Sequence, residues 1–243
     1  MNFISSTWHT IVYEPLYNAL AFILTHTPNH YAWVGIVLLT LIIRIVLFPF
    51  YQKMIRTQKT LRDIQPEIKE IQEKYKSDKA QLGLKVMEVY KKHKVNPFSM
   101  FGFLIFIQIP VFLGLYFVFS KGLVLHEGAL YSFIQFPEVV NNAFLGMDLM
   151  ALKVVPIALL AGLAQYIHGR QTAAKQPTVA PRVVGVTPSF SDELQRSLQF
   201  QTLYFIPVLI TVTAYFFPAA IGLYWIVNSL VSIGQEKLVS VKI

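Results

Sequence analysis

Residues 33–50 read WVGIVLLTLIIRIVLFPF, an apolar run of eighteen residues interrupted by a single charge, Arg44. A run of this length and composition is typical of a transmembrane helix. A guanidinium in the hydrocarbon costs about 2.5–3.5 kcal/mol on insertion scales, so it indicates a functional site unless the side chain reaches the membrane surface. Because Arg44 lies six residues before Phe50, roughly 9 Å from the expected helix end, both interpretations stay open at this point.

The composition of the whole chain predicts an integral membrane protein. Hydrophobic residues make up 54% of its 243 residues and charged residues only 14%, and the mean hydropathy is +0.50. Soluble domains carry about 25% charged residues. The chain has no cysteine, which excludes a disulfide, a thiol nucleophile and a lipid-anchored cysteine. Its first residues lack the basic region of a secretory signal, so we expect them to be retained in the mature chain.

Five apolar segments are predicted to cross the membrane. Residues 3–25 favour an interfacial amphipathic helix over a sixth, weak span, because His9, Glu14 and Asn18 fall among apolar residues at mostly helical spacing. Residues 51–96 are charged but also repeat apolar residues at helical spacing, which favours a helical hairpin over a solvated loop. The predicted segments are an extracytoplasmic amphipathic helix and turn (1–30), a first span (31–50), a cytoplasmic helical hairpin (51–96), a second span (97–119), an extracytoplasmic loop (120–147), a third span (148–168), a cytoplasmic loop (169–197), a fourth span (198–217), a fifth span (218–235) and a cytoplasmic tail (236–243).

The basic residues predict how the chain is oriented. The hairpin carries twelve Lys/Arg, the 169–197 loop four and the tail two, which together are eighteen of the twenty-one in the chain. Lys and Arg mark cytoplasmic segments, so the N-terminus is predicted outside and the C-terminus in the cytoplasm. The fifth span has only about sixteen apolar residues, roughly 24 Å of helix, and a typical hydrocarbon core is ~30 Å thick.

Polar residues within the spans suggest a partly hydrated cavity around Arg44. Thr40 lies one helical turn before Arg44 and therefore on the same face. The other spans each carry at least one polar residue, among them Gln108, Gln165 and Asn228. Any one of them alone predicts only a hydrogen bond between helices. The sequence has no zinc-protease motif, nucleotide-binding glycine loop or Ser/His pair, so neither an enzyme nor a cofactor or metal site is expected.

Three segments carry a resemblance that covers nearly the whole chain. They are LTLIIRIVLFPFYQKMIRTQKTLRDIQPEIKEIQEKYK (39–76), NPFSMFGFLIFIQIPVFLGLYFVF (96–119) and FFPAAIGLYWIVNSLVSIGQE (216–236). In this order and spacing they resemble the YidC/Oxa/Albino family of membrane protein insertases, in its short bacterial form. The resemblance implies an all-α membrane protein with five core spans around a hydrophilic groove. The implied groove is open to the cytoplasm and to lipid and closed on the outer side.

The resemblance also implies roles for individual residues. Arg44 matches the groove arginine of the family, Thr40 the polar residue before it, and Trp225 the groove-facing aromatic residue of the last span. Position and polarity add three more, so the predicted groove residues are Arg44, Thr40, Trp225, Gln108, Gln165 and Asn228.

The implied activity is non-covalent. A monomer in the bacterial plasma membrane would transfer hydrophobic segments of nascent proteins into the lipid bilayer, alone or with the Sec translocon, and without a cofactor. A ribosome, a targeting receptor or the translocon are the candidate partners of the 51–96 hairpin. The alternative is a small channel or transporter that uses Arg44 as an anion site, although the chain has no recognisable inverted repeat.

Overall fold

The computed structural model describes residues 3–75, 78–96, 108–121, 123, 128–174, 196–197 and 199–241. These residues are mostly helical, which confirms the predicted fold class at that level. Residues 97–107 of the predicted second span, and most of the predicted 169–197 loop, from 175 to 195, lie outside the described residues. The helices are α1 (Phe3–Trp8), α2 (Glu14–His26), α3 (Ala32–Val46), α4 (Phe48–Asp63), α5 (Gln65–Lys74), α6 (Lys79–Lys92), α7 (Ile109–Ser120), α8 (Val155–Ala174), α9 (Ile206–Phe216) and α10 (Ala219–Val241).

Shorter elements connect or extend these helices. Two π-helical turns, His9–Tyr13 and Gln201–Phe205, lead directly into α2 and α9, and a 3-10 turn, Pro28–His30, lies between α2 and α3. Before α8, the strands β1 (Ala143–Phe144) and β2 (Met147–Asp148) pair antiparallel.

The apolar run that contains Arg44 is divided into two helices. α3 ends at Val46 and α4 leaves it at an angle of 63°, with Pro49 in the first turn of α4. Proline has no N–H to donate to a preceding turn, and its ring disfavours helical geometry in the residue before it. Arg44 therefore lies in the last turn of α3 rather than inside a helix that continues to Phe50. Among the described residues, length and apolar composition suit only this bent pair to a membrane crossing, and no unbroken helix meets both conditions.

The main core is built around α10. The first turns of α10 are fully buried, and the helix contacts α3, α7, α8 and α9. Side chains of α2 and α3, including Tyr17, Leu24 and Ile36, complete the same apolar cluster. α10 has 23 residues, so its helical length exceeds that of the predicted apolar span. It carries Gln235 and Glu236 in the same continuous helix.

The N-terminal helices are fixed to the loop that precedes α8. Asn18 is buried, its side-chain amide donates to the Ala129 carbonyl (2.7 Å) and its oxygen accepts from the Tyr131 N–H (2.7 Å). Thr25 donates to the Gln135 carbonyl (2.6 Å). These bonds hold the loop across one end of the helices.

The charged segment after α4 forms a hairpin with a small apolar core of its own. Ile64, Ile68 and Val89 are buried between α5 and α6. Glu67 accepts hydrogen bonds from Lys92 and His93, both 2.8 Å long, and these bonds, that from Lys92 foremost, lower the pKa of the Glu67 carboxyl. The two helices of the hairpin are therefore joined by apolar contacts and by ion pairs.

Glycine allows α8 and α9 to approach closely. A methyl group at Gly162 would collide with the Thr211 hydroxyl and lie 3.2 Å from the Pro207 carbonyl oxygen, and one at Gly169 would lie 2.6 Å from the Thr202 carbonyl oxygen. The α8–α9 contact consequently depends on the absence of side chains at these positions.

We expect Gly162→Ala to destabilise the protein by about 1–3 kcal/mol, because the helices must separate to admit the methyl group. Gly83→Ala is the matched control: it lies within α6, with no heavy atom within 4 Å of the added carbon. That control should be neutral or stabilising by about 0.5–1 kcal/mol. Thermal unfolding of the detergent-purified variants measures both effects, and an unchanged midpoint for Gly162→Ala would contradict the close packing.

Candidate functional site

Arg44 belongs to the buried face of α3. The interior residues of this helix include Gly35, Ile36, Leu39, Thr40 and Arg44, which recur at helical spacing. Large apolar side chains cover the opposite face, which is exposed. Because Arg44 shares the inward stripe, its side chain points to α10, and only 3% of the residue is exposed.

Arg44 makes four hydrogen bonds to α10. Nε donates to Asn228 Oδ1 (2.7 Å) and Nη1 to Gln235 Oε1 (3.1 Å). Nη2 donates to the Ser232 hydroxyl (2.5 Å) and to the Asn228 carbonyl (2.9 Å). The three acceptor residues lie four and seven positions apart, hence on one face of α10. These bonds use four of the five N–H groups that a guanidinium carries.

An aromatic ring covers the remaining side of the guanidinium. Tyr51, in the first turns of α4, places its ring centroid 4.2 Å from Arg44 Cζ, a distance typical of a cation–π contact. Its hydroxyl donates to Gln108 Oε1 (3.1 Å), and the Gln108 amide donates to the Tyr224 hydroxyl (3.3 Å). The network around Arg44 therefore joins α3, α4, α10 and the start of α7.

The charge of Arg44 is solvated but not neutralised within the described residues. All its hydrogen-bond acceptors are neutral, and no ion pair brings a carboxylate within 4.0 Å of it. Attraction between opposite charges strengthens as the surroundings become less polar. The arrangement is therefore suited to attract a negatively charged group that comes from outside the described chain.

The other predicted residues divide into two groups. Asn228 bonds Arg44 directly, and Gln108 reaches it through Tyr51. Thr40 is 2% exposed and donates to the Ile36 carbonyl of its own helix (2.7 Å), so it lies one turn from Arg44 without bonding it. Gln165 accepts from the Ser229 hydroxyl (3.1 Å).

Trp225 makes an aromatic contact instead of a polar one. It stacks on Phe112 of α7, with ring centroids 5.2 Å apart and an interplanar angle of 16°. Gln165 and Trp225 therefore connect α10 to α8 and α7, respectively.

Four residues of the network were not among the predicted site residues. Ser232 and Gln235 could have been found, since they continue the face of α10 that Asn228 begins. Tyr51 and Tyr224 gave no comparable signal, because Tyr51 reaches Arg44 only through the bend between α3 and α4.

A second polar cluster lies beside the Arg44 network. The buried carboxylate of Glu236 contacts three side chains of α8: His168 Nε2 (3.1 Å), Gln171 Nε2 (3.1 Å) and the Thr172 hydroxyl (2.8 Å). It joins the C-terminal part of α10 to α8. Among the described residues, this cluster included, no group of acidic and histidine side chains is suited to a metal ion.

These features define a helical protein with an interior cation at the end of an apolar helix. The family model described as "60Kd inner membrane protein" matches residues 23–243, and the chain belongs to this family of membrane proteins. The resemblance to the YidC/Oxa/Albino family is thereby confirmed.

Curated relatives from several bacteria carry the name "Membrane protein insertase YidC". That of Syntrophobacter fumaroxidans is 31% identical over 236 residues, which are 96% of this chain and 38% of the relative. That of Campylobacter jejuni subsp. jejuni is 31% identical over 234 residues, again 96% and 38%. That of Pelobacter propionicus is 29% identical over 234 residues, which are 96% of this chain and 39% of the relative. The chain therefore spans less than two fifths of the length of these relatives.

Proposed function

We propose that the chain is a membrane protein insertase, which transfers hydrophobic segments of nascent proteins from the cytoplasm into the bilayer. One observation carries the proposal: the interior cation of Arg44 has only neutral partners, Asn228, Ser232 and Gln235, among the described residues. Family membership and the name shared by the relatives support the same activity.

In the proposed mechanism, Arg44 attracts the polar N-terminal tail of the client while its apolar segment moves into lipid. Acidic residues of the tail gain most, because a charge pair is stronger where water is scarce. The polar face of α10 offers amide and hydroxyl groups that can replace lost water. Transfer of the apolar segment is favourable by about 25 cal/mol per Å² buried, so no covalent step is needed.

The proposed arrangement has five spans around a groove that opens to the cytoplasm and to lipid. The chain would lie in the bacterial plasma membrane, with its N-terminus outside and its C-terminus in the cytoplasm. Exposed apolar faces on two helices support contact with lipid. They carry Leu159, Leu160, Leu163 and Ile167 on α8, and Val208, Leu209, Val212 and Phe216 on α9.

The charged segment 51–96, which includes most of α4 and the hairpin of α5 and α6, is the proposed contact for a ribosome, a targeting receptor or the Sec translocon. Residues 51–96 carry twelve basic and six acidic residues, and this basic surplus favours acidic or RNA-bearing partners. The insertase is proposed to act as a monomer.

Reconstitution into lipid vesicles tests the proposal. The purified chain should integrate a single-span client with an acidic N-terminal tail, measured by protection of the client from added protease. Vesicles without the chain provide the background. Failure of integration together with a measurable anion flux would replace the insertase with an anion channel or transporter.

A further inference from the structure

Arg44 is covered in this structure, although the proposed function requires a client to reach it. The polar residues of α10 occupy one side of the guanidinium and the Tyr51 ring lies over another. With Arg44 only 3% and Tyr51 only 7% exposed, an incoming carboxylate has to displace part of this cover.

The two sides of the cover differ in how readily they can move. Asn228, Ser232 and Gln235 are part of α10, which is packed between α3 and α8. Tyr51 belongs to α4, beyond the bend at Leu47 where α4 departs at 63°. A change of backbone angles at Leu47 can therefore withdraw the ring without disturbing the α3–α10 contact.

The relative strength of the contacts also favours replacement of the Tyr51 ring by a carboxylate. A cation is attracted less strongly by the face of a tyrosine ring than by a carboxylate that accepts charge-assisted hydrogen bonds from it. An acidic side chain can thus replace the ring, whereas an apolar or neutral segment offers Arg44 nothing better than the ring it already has. Displacement by this route selects for negative charge.

We propose that Tyr51 is the gatekeeper of Arg44: its ring covers the guanidinium until an acidic segment of the client takes its place. The ring itself provides the cover, and the bond from the Tyr51 hydroxyl to Gln108 (3.1 Å) is an additional contact that the cover does not require. The gate also connects the hairpin with the groove, because Tyr51 moves with the helix that leads into α5 and α6. Its use in selecting clients rests on the proposed insertase function, but the covering of Arg44 does not.

The reactivity of Arg44 tests the gate without any client. Phenylglyoxal modifies accessible guanidinium groups, and peptide mass spectrometry of the full chain in vesicles quantifies each site. Tyr51→Ala should raise the rate at Arg44 about tenfold, in line with the loss of a partly desolvated cation–π contact. Tyr51→Phe keeps the ring and should react within about twofold of the parent. Arg56, which is exposed, serves as the internal reference.

Tyr90→Ala is the matched control, because Tyr90 packs in the hairpin core and not on Arg44. If the labelling rate of Arg44 is unchanged in Tyr51→Ala, or rises equally in Tyr90→Ala, the proposal that Tyr51 covers Arg44 is wrong. An aspartate-containing peptide should slow the labelling of Arg44 in Tyr51→Ala, and its asparagine counterpart should not. Equal effects of both peptides would also overturn it. A normal labelling pattern in a chain that inserts no client would reject the insertase and leave the gate standing.

Discussion

Arg44→Ala should reduce the insertion of a client with an acidic N-terminal tail at least about tenfold, the factor that corresponds to ~1.4 kcal/mol of lost interaction. Truncating one member of a buried charge pair commonly costs more than this. Arg44→Lys should keep partial activity. It retains the positive charge, but a compact ammonium cannot reproduce the spread of donors that reaches Asn228, Ser232 and Gln235 together.

Protease protection of radiolabelled clients in vesicles measures the effect of both variants. A client whose tail carries Asn and Gln in place of Asp and Glu is the control, and its insertion should change far less. That control also reports whether Arg44→Ala still folds, since loss of the guanidinium leaves the acceptors of α10 without their donor. Equal activity of the Ala and Lys variants with the acidic client would reduce Arg44 to an anchor that holds α3 against α10.

Asn228→Asp should abolish most of the preference for acidic tails while preserving the fold. The substitution hardly changes the shape of the side chain, and its new carboxylate takes the place of the Asn228 oxygen, 2.7 Å from Arg44 Nε. The site then holds an internal ion pair with no net charge. We expect insertion of the acidic client to fall roughly tenfold, similar to Arg44→Ala, because the attraction for a second carboxylate is lost.

The thermal midpoint separates this variant from a damaged protein. Asn228→Asp should melt at or above the parent temperature, since its one new charge has Arg44 as a partner, whereas an unpaired buried charge is strongly destabilising. Gln165→Glu is the matched control: it adds a carboxylate to the neighbouring polar pair with Ser229 and not to Arg44. If both variants reduce insertion equally, general repulsion of acidic clients explains the loss and neutralisation of Arg44 does not.

The sequence predicted the parts of this site that depend on composition and on spacing along one helix. The length of the apolar run and its single arginine are read directly from the sequence. The position of Thr40 one turn before Arg44 follows from helical periodicity. Asn228 was selected for its polarity within an apolar span, and its bonds to Arg44 place it at the centre of the network. The same reasoning extends to Ser232 and Gln235, which share its face of α10.

Other features depend on contacts between segments that are distant in the chain. Tyr51 lies in a charged segment, and only the bend at Leu47 folds its ring back on Arg44. Pro49 made a break there predictable, but not the direction in which α4 would leave. The apolar length of the last span likewise did not reveal that its helix continues through Gln235 to Val241, because charged residues at a membrane surface can remain helical.

Adjacent residues of α10 bind two different helices. Gln235 accepts from Arg44 of α3, and Glu236 accepts from His168, Gln171 and Thr172 of α8. Since consecutive helical residues point about 100° apart, turning α10 about its axis would break at least one of these connections. These four bonds together oppose rotation of α10 and act as a torsional lock, so that α3, α8 and α10 move as one rigid unit. In the proposed insertase, a widening that admits clients of different thickness would then involve helices outside the lock, such as α4 and α7.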